Sequence, residues 1–375
     1  MQRAGLSQRA EKSGRALSRF FPVPKFLFPH AAGVDISDST VKWVSLSRDG
    51  GKGRTVEAWG QEPLQEGIVV SGVVRDIPRL SAALREMRKK LPHITAAHAA
   101  LPEDPAFVFS MNVPSNSSRQ QILDLIEFEF EQRVPIPPSA AVYDFDLIPA
   151  HEGEQQEVGV VVFPRDVVES YAEAFEGAGL TLLSLEVEAR SIARAATSSN
   201  DNSIELLVDF GFKRTGFAVL KRGIPIFTST VEIGGEAISN ALAEKMHLSP
   251  EEIDAWKNEQ GLLPEAGAKS PGLEAVSGAA SSLGSEVTRH FNYWDTRRND
   301  RGERVSPVSR VLLVGGSANL KGLADYLSGR VQAPVERPNV WRNACNFDDY
   351  VPPIERRISL QYATAIGLSL RDGII

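Results

Sequence analysis

Asp35 and Asp209 each stand at the end of an apolar stretch and just before a short polar turn. The first lies in GVDISDSTVKWVSL (33–46), the second in LVDFGFKRTGFAVL (207–220). Both read as an apolar strand, Asp, an apolar residue, a small residue, a polar turn ending in Thr, and another strand. A hairpin turn leaves several backbone N–H groups aimed one way, which makes a small anion-binding concavity. Two such turns from two lobes would clamp a polyphosphate between them. The carboxylates of Asp35 and Asp209 would then hold Mg2+, mostly through waters, because Mg2+ dehydrates reluctantly. Gly211 lets backbone approach a phosphate closely in the second turn. The first turn has Ser37 at that place, with the hydroxyls of Ser37, Ser39 and Thr40 as donors. A third piece is Gly315-Gly316, between an apolar run and a helical pattern in RVLLVGGSANLKGLADYLSGRV (310–331). A turn without side chains there would let a nucleoside lie against the backbone.

Each motif alone is common, and the three in this order are specific. Catalysis is less well marked. Glu186 and Glu188 precede a helix and are candidates for orienting a water against a terminal phosphate. Acids at a helix start are also favoured by the helix dipole alone. The expectation is therefore a slow ATPase or none. The six histidines show no zinc spacing, and no Ser-His-Asp arrangement is visible. Trp43 shares a strand with Val41 and Val44 and is expected in the core.

These residues need two lobes to position them. A chain of 375 residues suits two domains or one large two-lobed unit. The net charge of −7 argues against general nucleic-acid binding, which needs a broad basic surface. The single cysteine, Cys345, excludes an internal disulfide and a cysteine-rich metal site. No apolar run approaches the roughly 20 residues that span a bilayer, so the chain is expected to be soluble unless a partner brings it to a membrane. Residues 1–29 differ from the rest: basic, then aromatic around prolines, without the apolar centre of a signal peptide. They read as a flexible tail, or as a weak membrane-surface contact through Arg3, Arg9, Arg15 and Arg19 with Leu17, Phe20 and Phe21.

Along the chain, residues 33–47 form the opening hairpin and 54–64 a third strand. LSAALREMRKKL (80–91) has helical spacing at Leu80, Leu84, Met87 and Leu91. Residues 97–178 read as a compact inserted unit. It holds two strands around the turn LPEDP, a capped helix with Ile122, Leu125, Ile126 and Phe130 on one face, two more strands, and a helix stopped by glycine. A strand and helix follow, LTLLSLEVEARSIARAA. Three strands open a second lobe at 203, and helical, polar material runs from 235 to 297 with a loop at 259–272. EVEARSIARAA and GGSANLKGLADYL read as a second echo, and ISLQYATAIGLSL (358–370) as a closely packed helix.

With these motifs in place the sequence resembles the actin, Hsp70 and sugar-kinase superfamily. GVDISDSTVKWV is similar to its first phosphate motif, VDFGFKRTGFAV to the second and VLLVGGSANLKGL to the adenosine motif. EVEARSIARA and QYATAIGLSL resemble its connecting helices. Within the superfamily it resembles the PilM family of type IV pilus assembly proteins, related to FtsA, over roughly 30–372. LIEFEFEQRVPIPPSAAVYDFDLI and VTRHFNYWDTRR (287–298) carry that likeness, the latter as a helix near the second lobe's nucleotide edge. The resemblance implies an α/β, bilobed actin-like fold with a 1C-type insertion in the first lobe. The first lobe (subdomain 1A) would be 30–96, 179–202 and 358–375, the insertion (1C) 97–178, and the second lobe 203–357, with subdomain 2B at roughly 235–300. It further implies ATP and Mg2+ as ligands, at the cytoplasmic face of the inner membrane. Partners would be the N-terminal tail of PilN, in a groove between 1A and 1C, and the pilus assembly ATPases, with self-association open. Asp35, Ser37, Ser39, Thr40 and Lys42 would face the phosphates from the first side, and Asp209, Gly211 and Thr215 from the second. Gly234, Gly235, Gly315, Gly316 and Ser317 would surround the nucleoside. Lys213 and Arg214 stand where small residues are expected. The alternatives are a sugar or acetate kinase of the same fold and a pilus scaffold that has lost nucleotide binding.

Overall fold

The computed structural model describes residues 30–47, 53–149, 155–198, 203–263, 271–298 and 307–371. The N-terminal tail at 1–29 and much of the loop at 259–272 lie outside the described residues.

The first sheet begins with an antiparallel meander of β1 (Ala31–Ile36), β2 (Thr40–Leu46) and β3 (Val56–Pro63). A small hairpin, β4 (Val69–Val70) and β5 (Val73–Val74), leads to helix α1 (Ile77–Lys89). Asp76 caps α1 by accepting the Arg79 amide, and Leu80, Leu84 and Met87 turn to the core. Strand β6 (Ala96–Leu101) then runs parallel beside β1. All six residues of β1 are buried, as befits a strand covered on both faces.

The chain next leaves this sheet. Strands β7 (Phe107–Val113), β8 (Ala141–Ile148) and β9 (Gln156–Pro164) make a separate antiparallel sheet in the order β7-β9-β8. Helix α2 (Arg119–Arg133) covers it through Ile122, Ile126 and Phe130. A Ser118–Gln121 capping box starts α2, and Val134 ends it in extended backbone, before the prolines. Helix α3 (Arg165–Gly177) brings the chain back, and β10 (Thr181–Val187) joins the first sheet beside β6. Thus, of the segment 97–178, β6 pairs within the first sheet and α3 packs on α1. There Arg85 and Arg88 donate to the Gly177 and Ala178 carbonyls.

Helix α4 (Glu188–Ala196) connects to the second sheet. Its strands are β11 (Ile204–Phe210), β12 (Thr215–Lys221) and β13 (Ile224–Val231), then β14 (Val308–Val314) and β15 (Val335–Glu336). Helices α5 (Gly235–Met246), α6 (Pro250–Glu259) and α7 (Pro271–Asp295) lie between β13 and β14, and α8 (Leu323–Val331) between β14 and β15. The two sheets share one plan. β3-β2-β1-β6-β10 and β13-β12-β11-β14-β15 have the same order and the same parallel and antiparallel neighbours. The short echo around the two aspartates therefore marks a duplication of whole sheets. The second echo was paired differently from the fold. In the shared plan α8 matches α3, since each connects the fourth strand to the fifth.

The C-terminal segment is not one helix. It breaks into α9 (Arg356–Ser359), a 3-10 turn at 360–362, and α10 (Ala363–Ser369). The Leu360 carbonyl accepts the Gly315 amide across the floor of the interlobe cleft, at the site of the break. Helices α4 and α10 then pack closely beneath that cleft. A Cβ on Gly367 would lie 1.8 Å from the Ser191 carbonyl oxygen, and one on Gly33 would lie 2.1 Å from that of Ala365.

Candidate functional site

A cavity of about 430 Å3 opens between the two sheets. Its walls are the two β-turns of the duplicated hairpins. In the first, the Ser37 amide donates to the Thr40 carbonyl at 2.9 Å; in the second, the Gly211 amide donates to the Arg214 carbonyl at 3.0 Å. The turns are equivalent residue for residue, so Asp35, Ser37 and Thr40 match Asp209, Gly211 and Arg214. Matching the motifs on their threonines misplaces the second turn by one residue. Thr215 is buried, and its hydroxyl donates to the Ile233 carbonyl behind the turn.

Ser37 is held inside its own turn. Its hydroxyl lies 3.1 Å from the Thr40 hydroxyl and accepts the Thr40 amide at 3.2 Å. Gly211 is required by close backbone, since a Cβ there would lie 2.8 Å from the Arg214 carbonyl oxygen. Behind it, the Gly235 amide and the Ser317 hydroxyl both donate to the Gly211 carbonyl, at 3.0 and 2.9 Å. Gly234 packs against the Phe212 carbonyl. Gly234, Gly235, Ser317 and Thr215 thus buttress the second turn. Asp35, Ser37, Ser39, Thr40, Lys42, Asp209, Gly211, Gly315 and Gly316 line the cavity itself. Gly315 has φ 93, and a Cβ on it would sit 2.4 Å from Asp209 Oδ1, so only glycine fits beside that carboxylate.

The cavity is rich in acid. Asp35 and Glu103, which are buried, and Glu188 and Asp209, which are half-buried, all line it. Burial raises the pKa of each: Asp209 to about 7, Glu188 well above the usual range, Asp35 and Glu103 upward. Mutual repulsion adds to the rise at Asp209 and Glu188. Lys42, opposite Asp35 in the hairpin register and 3.5 Å from it, opposes the rise at Asp35. The second hairpin has Gly216 opposite Asp209, so that carboxylate has no matching cation. Glu103 accepts the Ala189 amide at 2.8 Å and shares a hydrogen bond with Glu188, so the two acids hold a proton between them. Glu186 lies away from the cavity. Arg194 grips both its carboxylate oxygens at 2.6 Å, and Arg371 adds a further contact.

At the mouth, Arg214 crosses from the second lobe to the first. It bonds Asp38 at 2.7 Å and pairs with Asp104. Asp38 also accepts the Ser71 and Gly72 amides at 3.3 and 3.4 Å. Sequence reasoning passed over Asp38, Glu103 and Asp104. The signal available was LPEDP itself, two acids at the carboxyl end of a buried parallel strand, where open α/β sheets collect their ligands. The helix carrying VTRHFNYWDTRR is not at the edge of this cavity. None of 287–298 lines this cavity, and its aromatic face borders a different one.

Among the described residues no three His, Cys, Asp or Glu side chains converge as direct metal ligands, and no helix is long and apolar enough to cross a membrane. The residues nevertheless fit a divalent cation accompanied by phosphate. A cation would offset clustered carboxylates that burial otherwise protonates, and the two turns and Gly315 keep side chains out of the space between them.

The fold is similar to that of known proteins. The solved PilM-PilN type IV pilus biogenesis complex matches with a TM-score of 0.73 at 22% identity, over 92% of this chain and 99% of that one. The ethanolamine utilization protein EutJ from Carboxydothermus hydrogenoformans matches with a TM-score of 0.51 at 18% identity, over 93% of this chain and 91% of that one. The family model of the type IV pilus assembly protein PilM matches residues 33–373, from the first strand to the end of the last helix. The chain therefore belongs to the PilM family of type IV pilus assembly proteins.

Proposed function

We propose that the protein is a nucleotide-holding scaffold of the type IV pilus assembly machinery, with Mg-ATP as the ligand of the interlobe cavity. The observation that carries this is the matched pair of turns, closed by Ser37–Thr40 and Gly211–Arg214 bonds, facing one cavity between duplicated sheets. The turn amides and Lys42 would meet the phosphates, Asp35 and Asp209 would hold the cation through waters, and Gly315 and Gly316 would flank the nucleoside. When bound, Mg2+ supplies the charge that lets four shielded carboxylates and a polyphosphate share one site. Glu188 is paired with Glu103, and burial raises its pKa, so it is a poor base for activating water. ATP then serves as a structural or switching ligand, turned over slowly or not at all.

The partner is the cytoplasmic tail of a PilN-type protein, in a groove between the first lobe and the inserted sheet. That partner would hold the protein at the cytoplasmic face of the inner membrane, where the assembly ATPases are further contacts. The support is the family match and the likeness to the PilM-PilN complex. A second reading, a scaffold that has dispensed with nucleotide, is favoured by one observation: Arg214 already ties the lobes together through Asp38 and Asp104.

Calorimetry of Mg-ATP binding to the wild type and to Asp209→Ala separates these readings. The nucleotide reading expects measurable binding, weakened at least about tenfold in the variant, or about 1.4 kcal/mol. Equal affinities would remove Asp209 from the site, and no binding to either protein would leave the second reading. For the partner, adding a PilN-type tail peptide is expected to slow amide exchange within 97–145. An unchanged exchange pattern there would defeat the groove assignment.

A further inference from the structure

A second cavity, of about 400 Å3, lies where the inserted sheet meets the second lobe. Residues 108–110 of β7 form one wall, Ile226 and Phe227 of β13 another, and one face of α7 a third. Both strands are sheet edges. Among the described residues β7 pairs only with β9 and β13 only with β12. The two strands lie against each other along this seam, so the cavity is walled by both sheets.

The charge of the cavity has one sign. Arg133, Arg289 and Arg297 line it, and no carboxylate does. Arg133 and Arg289 keep Glu129 and Glu286 as partners, at 2.8 and 2.5 Å. Arg297 makes no ion pair among the described residues and lies 4.6 Å over the Trp294 ring. Arg133 lies 5.1 Å over Phe109 in the same way. Guanidinium groups thus cover these two rings, which disfavours stacking of a base and leaves their N–H groups for carboxylates. Trp294 is 5% exposed, and its indole Nε1 has no hydrogen-bond partner. Leaving such a buried donor unpaired is unfavourable, and a ligand carbonyl would relieve it. Tyr293 beside it is 63% exposed.

The wall is preorganised. His290 stacks on Phe217 with centroids 4.2 Å apart, its Nδ1 donates to the Glu286 carbonyl at 2.9 Å, and its Nε2 accepts from Ser229 at 2.8 Å. Burial lowers its pKa, so it stays neutral and fixed.

We infer that this cavity binds an extended acidic peptide segment of a partner protein, laid along the seam between β7 and β13. Its carboxylates meet Arg289 and Arg297, and an apolar side chain enters among Ile226, Phe227 and Tyr293. The site is separate from the nucleotide cavity and does not depend on it.

The test uses the full chain and a phage-displayed library of random linear peptides, counter-selected against the Arg289→Glu, Arg297→Glu protein. The expected winners alternate carboxylates with aromatic or aliphatic residues. A labelled winner should bind the Arg297→Glu protein at least about tenfold more weakly and weaken with added salt. It should also slow amide exchange in 107–113 and 224–231. Basic winners, winners that bind the variants equally, or protection elsewhere would overturn the inference. So would ATP displacing the peptide from wild type and Asp209→Ala alike, which would assign the cavity to nucleotides. Both arginines are exposed, and unchanged circular dichroism would show that the variants fold.

Discussion

Arg214 reaches from the second turn to Asp38 and Asp104 of the first lobe, and all three side chains are well shielded from solvent. Arg214→Ala should lower stability by about 1–3 kcal/mol, between the values for exposed and buried pairs, because two carboxylates lose their cation. A double-mutant cycle with Asp38→Ala in urea checks the coupling, and purely additive losses would show that the tie is idle. Asp209 makes a prediction about pH. Its folded pKa, about 7, lies above the ordinary aspartate value of 3.8. A raised acid contributes stability that is fully present below the unfolded pKa and is lost as pH rises through the folded pKa. Stability of the free protein should therefore fall between about pH 4 and 7, by up to about 1.4 kcal/mol per pH unit for this group. Asp209→Asn should flatten that slope in denaturation curves, and an unaltered slope would place the titration elsewhere. At this scale the sequence revealed the two aspartates and the glycines, because strand-end acids and tight turns leave a local signature. It hid Arg214's reach, since a side chain crossing between lobes leaves none.

The duplicated sheets show how far an element can be inferred from its residues. Only the first hairpin of each sheet echoes in sequence, because only there do turn amides and carboxylates constrain residue types. β6 and β14 share burial and little else, so their equivalence becomes visible in strand order alone. The C-terminal segment was legible as small-residue packing but not as a broken helix, since the break coincides with a contact from the distant Gly315 that no local pattern encodes. Packing of α4 on α10 gives a sharp contrast between two glycines. Gly367→Ala would set a Cβ 1.8 Å from the Ser191 carbonyl oxygen, with backbone on both sides of the clash. We expect a loss of about 3 kcal/mol or more, read as a lower denaturant midpoint. Gly278→Ala, on the exposed face of α7 with nothing within 4 Å, should instead gain about 0.5–1 kcal/mol from helix propensity. Equal effects at the two sites would contradict the close α4–α10 contact.

At the scale of the molecule, the inserted sheet is the part whose placement sequence could least supply. Its strands and capped helix were readable from period and prolines, but not where it docks. At its centre is a close contact: a Cβ on Gly159 of β9 would lie 2.6 Å from Ile224 Cγ2 and 2.8 Å from the Pro225 carbonyl oxygen. Ion pairs surround it, Lys221 with Glu157 and Arg190 with Asp146 at 2.7 Å. Arg190 also donates to the Gly223 carbonyl at 3.3 Å, so helix α4, the insert and the second lobe meet at one residue. Gly159→Val separates docking from folding. Valine suits the interior of a strand, so the insert's own sheet should persist. Its side chain cannot fit against the second lobe, so the insert should lift from β13. The expected result is faster amide exchange in 224–231 and in 107–113, with unchanged far-ultraviolet circular dichroism. Mg-ATP affinity should stay the same, because no residue of the insert's sheet lines the interlobe cavity. Binding at the arginine-lined cavity should be lost, because that site needs β7 and α7 side by side. Exchange at 224–231 as slow as in the wild type would mean that the ion pairs alone hold the insert in place.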